Sequence, residues 1–205
     1  MQREIRRIFN ASREAQKRFA ASHAAALARV IEVTHEALAA GRTLFFFGNG
    51  GSAADAQHLA AEFVNRFRLP RAPLPAIALT TDTSAITSIA NDFGYAEVFA
   101  KQIDALGRRG DVAFAISTSG KSPSVLRAVA RCRALGIVTV AFTGGSGGKL
   151  PGRVDHLLCV DSTGETPRIQ ETHIVIGHVI CELVEERLAG AATGSRGGSP
   201  SRIER

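Results

Sequence analysis

From Thr43 to Val160 the chain repeats one pattern: a short unbroken apolar run, a turn rich in Gly, Ser, Thr or Asp, then a stretch with apolar positions at helical spacing. The apolar runs are TLFFFG, PAIAL, DVAFAIS, IVTVAF and VDHLLCV, and helical stretches begin at Ser52, cross 83–106 and begin again at Ser122. Runs that are continuous rather than alternating predict strands buried on both faces, as in a parallel sheet covered by helices on each side. The predicted architecture is a doubly wound α/β domain with five parallel strands over 41–189, closed by a last helix from about 167 to 189. Ahead of the sheet, Ile5, Ile8, Phe9, Phe19, Leu27, Val30, Ile31 and Leu38 recur near helical spacing. They predict two nearly continuous helices over 1–40, which either cap the sheet or pack against a second subunit. The end of the chain, AATGSRGGSPSRIER, has almost no apolar content, so 190–205 is predicted to be a disordered tail.

Composition narrows this picture in three ways. At 205 residues and 45% hydrophobic, the chain can bury one good core and is short for two. The net charge of +6 suggests a nucleic-acid partner until it is located. Residues 1–20 carry six Lys/Arg against two Glu, and 190–205 carry three Arg against one Glu, so 21–189 balances at 16 against 16. Charge confined to the ends of the chain does not make the folded basic face that a nucleic-acid reader needs. Cys132, Cys159 and Cys181 stand far apart with no CxxC pair, which fits a reducing compartment. The N-terminus lacks the apolar core of a secretory signal, and no segment reaches the ~18 apolar residues of a membrane span. The expected location is the cytoplasm, with no membrane and no nucleic-acid partner.

In a doubly wound sheet, ligands bind where strand C-termini lead into helices, so the unusual turns there are the first candidates. Gly48-Asn49-Gly50-Gly51-Ser52 follows the first strand directly. Its glycines can expose backbone amides, and Ser52 suits a helix N-cap, so together they could cradle an anion. The same stretch satisfies GxGxxA, but the acidic residue that a dinucleotide site wants about 20 positions on has only Asp82 to offer, about 30 on. A plain strand-to-helix turn is the third reading. After the third strand, Ser117-Thr118-Ser119-Gly120-Lys121-Ser122-Pro123 brings three hydroxyls, a glycine, a candidate N-cap at Ser122 and a proline at the first helical position. Such a loop suits a phosphate monoester, or simply caps its helix. Neither it nor the later TGGSGGKL fits a Walker loop, since Leu150 stands where Ser or Thr would be required.

Groups able to do chemistry lie on two predicted helices. His58 and Glu62 are four apart and share a face below the first glycine loop. On the last helix Gln170, Ile174 and His178 form one stripe, with His173 pointing elsewhere. An imidazole on so apolar a helix needs a partner, and His178 reads either as a satisfied core histidine or, with His58 and Glu62, as part of a zinc or catalytic site. A phosphate cradle beside a carboxylate and an imidazole suits aldose–ketose isomerisation, which moves a proton between adjacent carbons without a redox cofactor.

Four segments, GNGGSAADAQHLAAEF, LPAIALTTDTSAITSIANDFG, GDVAFAISTSGKSPSVLRA and RIQETHIVIGHVICELVE, occur in this order and cover nearly all of 41–189. On them the chain resembles the phosphoheptose isomerases, which are built on a sugar isomerase domain and convert sedoheptulose 7-phosphate to D-glycero-D-manno-heptose 7-phosphate. The resemblance implies that Glu62 is the general base and His178 the opposing acid/base. It implies substrate contacts from Asn49, Gly50, Gly51 and the neighbouring Ser52, from Asn91 and Asp92 in an ANDFG loop, and from Gln170. Ser117, Thr118, Ser119 and Ser122 would hold the phosphate. One zinc per subunit would be bound by His58, Glu62, Gln170 and His178, and the assembly would be a homotetramer with sites at subunit contacts. Pro167 stands where some relatives place an acidic residue before the Arg of RIQE. A non-catalytic relative that binds the replication initiator DnaA is the alternative within the same fold; such relatives lack the Glu and His pair.

Overall fold

The computed structural model describes residues 1–194, the last four by their backbone alone. Its elements run α1 (Gln2–Ala39), β1 (Leu44–Gly48), α2 (Gly51–Val64), β2 (Ala76–Ala78), α3 (Thr83–Phe93), a 3-10 turn (Tyr95–Glu97), α4 (Ala100–Leu106), β3 (Val112–Ile116), α5 (Pro123–Leu135), β4 (Val138–Gly144), β5 (His156–Val160) and α6 (Thr166–Gly194). All five predicted strands are present and pair in parallel in the order β2-β1-β3-β4-β5. Every residue of β1 and of β3 is buried, which explains why their apolar runs are continuous.

Alternate strand residues feed two cores. Leu44, Phe46, Val112, Phe114, Ile116, Val140, Phe142 and Leu158 face α1, α2 and α6. Phe45, Phe47, Ala113, Ala115 and Ala141 face α4, α5 and the turn before α4. The first face is aromatic and deep, with the Phe46 and Phe114 rings stacked at 4.7 Å between centroids. The second takes Ala113 and Ala115 from β3 and Ala141 from β4, beside Phe45 and Phe47 from β1.

Two expectations about the ends of the chain are corrected. Residues 2–39 form one helix of 38 residues rather than two. No Gly or Pro occurs before Gly41, so nothing in this stretch interrupts the helical backbone. Its second half buries Val30, Ile31, Ala37 and Leu38 against the sheet, whereas Ile5, Ile8 and Phe9 near its start are exposed. At the other end α6 continues through residues 190–194, in place of the disorder that composition predicts there, and the rest of that tail lies outside the described residues. Among the described residues no helix is long and apolar enough to cross a membrane.

Candidate active site

The strand order changes direction between β1 and β3, and the crevice outside their C-terminal ends is the expected ligand position for such a sheet. Asn49 bridges it. Its Nδ2 donates to Ser122 Oγ at 2.7 Å and to Ser124 Oγ at 3.1 Å, while its Oδ1 accepts from the Tyr95 hydroxyl at 2.9 Å. The two serine oxygens lie 3.2 Å apart. Ser122 does stand at the N-cap of α5 with Pro123 next, yet its hydroxyl serves this cross-strand network rather than capping the helix. Ser52 is a clearer correction. The N-cap of α2 is Gly50, Ser52 is buried inside the first turn, and no side chain caps that end. A Cβ on Gly51 would meet the end of the Gln170 side chain, so the start of α2 and the start of α6 touch at this point.

The hydroxyl loop after β3 is organised by its own backbone. Ser117 Oγ accepts from Gly120 N at 3.2 Å, and Ser119 Oγ from Lys121 N at 3.3 Å. The glycine loop after β4 braces it from the side, through Lys149 N donating to Gly120 O at 2.9 Å. Between the two loops and the start of α6 lies a cavity of about 250 Å³ lined by Thr118, Ser119, Lys121, Gly145, Ser146 and Thr166. The mismatch to a Walker loop excludes Gly144–Gly148 as a nucleotide site of that kind; its place at the next strand terminus is the signal for a lining role. Asn91 and Asp92 are not in a loop but in the last turn of α3, exposed, with Asn91 Nδ2 donating to Asp92 Oδ1 at 2.8 Å. Tyr95, three residues further along, is the member of that region that reaches the Asn49 network.

The second cluster lies on the first face, where α2 and α6 pack in parallel. Gly177 permits it: a Cβ there would run into the Leu59 side chain. His58 Nε2 sits 2.8 Å from His178 Nε2 and 3.4 Å from Glu62 Oε1. The first distance is a hydrogen bond between two imidazoles, so one Nε2 carries a proton and the other accepts it. The His178 ring is held between His58, at 5.1 Å between centroids, and Phe67, at 5.4 Å. Burial lowers the His178 pKa from its ordinary value, the nearby His58 pushes the same way, and the Glu62 carboxylate pulls back. One turn before His58, burial raises the Asp55 carboxyl, whose Oδ2 has no hydrogen-bond partner.

Two imidazole nitrogens and a carboxylate oxygen are a donor set that suits zinc. The 3.4 Å between His58 and Glu62 matches the roughly 3.3 Å edge of a tetrahedron with ~2.0–2.1 Å bonds; the 2.8 Å between the histidines is shorter, the spacing of a hydrogen bond. His58 bridges the other two, and among the described residues no group of three or more His, Cys, Asp or Glu side chains forms a ready cluster. The three side chains therefore fit the ion in chemistry and proximity without being set in its geometry. Gln170 is not brought to them. It lies against Gly51, two turns earlier on α6 than His178. Likewise, the seven residues from Gly51 to His58 put the trio about 10 Å along α2 from the strand ends.

Residues 8–144 match the model of the SIS domain family. The chain is 56% identical over 163 residues to a phosphoheptose isomerase from Paramagnetospirillum magneticum, covering 80% of this chain and 84% of that one. It is 48% identical over 186 residues to one from Aquifex aeolicus, covering 91% and 97%. The solved phosphoheptose isomerase from Neisseria gonorrhoeae superposes with a TM-score of 0.84 at 39% identity, over 90% of this chain and 98% of that one.

Proposed function

The chain belongs to the SIS domain family and, within it, to the phosphoheptose isomerases, and on that premise we propose that it converts sedoheptulose 7-phosphate to D-glycero-D-manno-heptose 7-phosphate. The observation that carries the assignment of roles is the meeting of Glu62, on α2, with His178, on α6, through His58. Isomerisation removes a proton from C1 of the ketose, passes through an ene-diol and returns a proton to C2. Glu62 is the base that carries this proton. His178 exchanges protons with the two oxygens, and its neutral imidazole can both donate and accept. A zinc ion held by His58, Glu62 and His178, with Gln170 assigned to it by resemblance alone, would polarise those oxygens as a Lewis acid.

The phosphate end falls to the hydroxyl loop of Ser117, Thr118, Ser119 and Ser122, with Asn49, Gly50, Gly51, Asn91, Asp92 and Gln170 along the sugar. Within one chain about 10 Å of helix separates the two ends of this site. The exposed Ile5, Ile8 and Phe9 on α1 support subunit contacts, and with them the homotetramer with shared sites that the resemblance implies. Three free, buried cysteines support a reducing cytoplasmic setting. The presence of both Glu62 and His178 favours the enzyme over the non-catalytic, initiator-binding alternative.

The direct test is incubation of the purified protein with sedoheptulose 7-phosphate while the aldose product is followed. Turnover is expected, with four subunits per particle by light scattering. A folded protein that binds the sugar phosphate but makes no aldose would overturn the enzymatic reading.

A further inference from the structure

Beyond the site itself, one buried charged pair stands out. Glu185, on α6, is 2% exposed and its carboxylate accepts four N–H donors. Oε1 takes Phe67 N and Arg71 Nε, both at 2.9 Å; Oε2 takes Arg68 N and Leu69 N, both at 2.7 Å. Burial alone would raise the Glu185 pKa, and the three backbone amides with Arg71 more than offset it, so the carboxyl titrates below its ordinary range.

The other end of Arg71 closes α2. Nη2 donates to Glu62 O at 2.7 Å, and Nη1 to Phe63 O at 2.9 Å and Ala72 O at 3.0 Å. The last carbonyls of a helix have no partner within it, and here the guanidinium supplies one to the residue that bears the base. Glu185 follows His178 by seven residues, on the same face of α6. The segment it grips also presents Phe67, whose ring lies on His178. One ion pair thus ties down the backbone under Glu62, the ring that packs on His178, and the relative position of the two helices that carry them.

Stability alone is a poor reason for such a pair, because buried ion pairs can often be replaced by apolar residues without loss. What a planar guanidinium in fixed hydrogen bonds provides is geometry. We propose that Arg71 and Glu185 are positioning residues that hold Glu62 and His178 in register for proton transfer, a role that rests on the isomerase reading above.

The test compares wild type with Arg71→Lys, which keeps the charge but not the fork, with Glu185→Gln, and with Phe67→Leu, which leaves the ion pair alone. Misplacing a catalytic group by ~1 Å can cost about 100-fold, so kcat is expected to fall about 10- to 100-fold in the two pair variants and several-fold in Phe67→Leu, with KM within about twofold. Wild-type kcat in a folded Arg71→Lys protein would overturn the proposal. So would a parallel loss of kcat, KM and melting temperature in all three variants, which marks a merely structural pair. A readout independent of turnover is the His178 ring C–H resonance, displaced by the Phe67 ring current. It is expected to move in Arg71→Lys, and an unmoved resonance counts against positioning. If wild type itself makes no aldose, the isomerase reading fails while this spectrum still decides whether the pair places His178.

Discussion

Helix α6 carries two histidines five residues apart that live in opposite circumstances. His173 is fully buried, faces the Phe142 ring and bonds through Nε2 to the Thr143 carbonyl at 3.0 Å, with Nδ1 unpartnered. Burial pushes its pKa down to about 4, so it is neutral across the physiological range. His178 is half-buried on another side of the helix, beside an imidazole, a carboxylate and a ring. The first is packing with one hydrogen bond; the second has partners that can exchange protons. Residue type and helix are the same, so what separates the roles is which neighbouring element each faces: β4 for His173, α2 for His178.

The largest expected difference between the two histidines is catalytic. General acid–base groups contribute about 10²–10⁴-fold, so Glu62→Gln and His178→Gln are each expected to lower kcat by that order, with sugar-phosphate binding retained. His173→Leu is expected to leave kcat within about twofold. Steady-state assays on sedoheptulose 7-phosphate decide it, and comparable losses at the two histidines would erase the distinction drawn here.

A second test concerns zinc. About one zinc per subunit is expected by elemental analysis of the protein as purified, and His58→Ala should lose it on dialysis because only two of the three converging donors remain. His173→Leu should keep it. Retention of zinc by His58→Ala would move the ion to other ligands.

How much of this is readable in the sequence follows from how local each feature is. The five strands are legible because burial on both faces leaves continuous apolar runs. His58 and Glu62 are legible as a pair because one helical turn brings them together. Their meeting with His178 is not, since it depends on α2 and α6 packing in parallel and on Gly177 admitting Leu59. Ser52 passes for a cap because Gly-Gly-Ser resembles a helix start, whereas the helix begins one residue earlier at Gly51. The contacts of Ser124 and Tyr95 with Asn49, and the Arg71–Glu185 pair, span 46 to 114 residues of sequence, and no local periodicity announces them. Charge balance over 21–189 likewise hides a buried ion pair, because counting charges does not show where they meet.

The smallest effect is the most diagnostic of the buried histidine. In His173→Leu the Thr143 carbonyl loses its donor while an unpaired Nδ1 is also removed, so a net loss of only about 1 kcal/mol is expected at pH 7.5. Acid reverses the order. Unfolded chains protonate this histidine near its ordinary 6.5, folded ones only near about 4, so between those values the unfolded state binds more protons and wild-type stability falls as pH falls. Above the unfolded value the contribution is fully present; by pH 4.5 roughly 2–3 kcal/mol of it is gone. A leucine in its place does not titrate, so the variant is spared this loss, and carboxylates such as Glu185 and Asp155 cancel in the difference between the two proteins. Urea unfolding at the two pH values should therefore show wild type the more stable at 7.5 and the variant the more stable at 4.5. Parallel stability curves would mean that His173 takes up a proton in the fold as readily as in the open chain, and that the two histidines of α6 differ less than their surroundings imply.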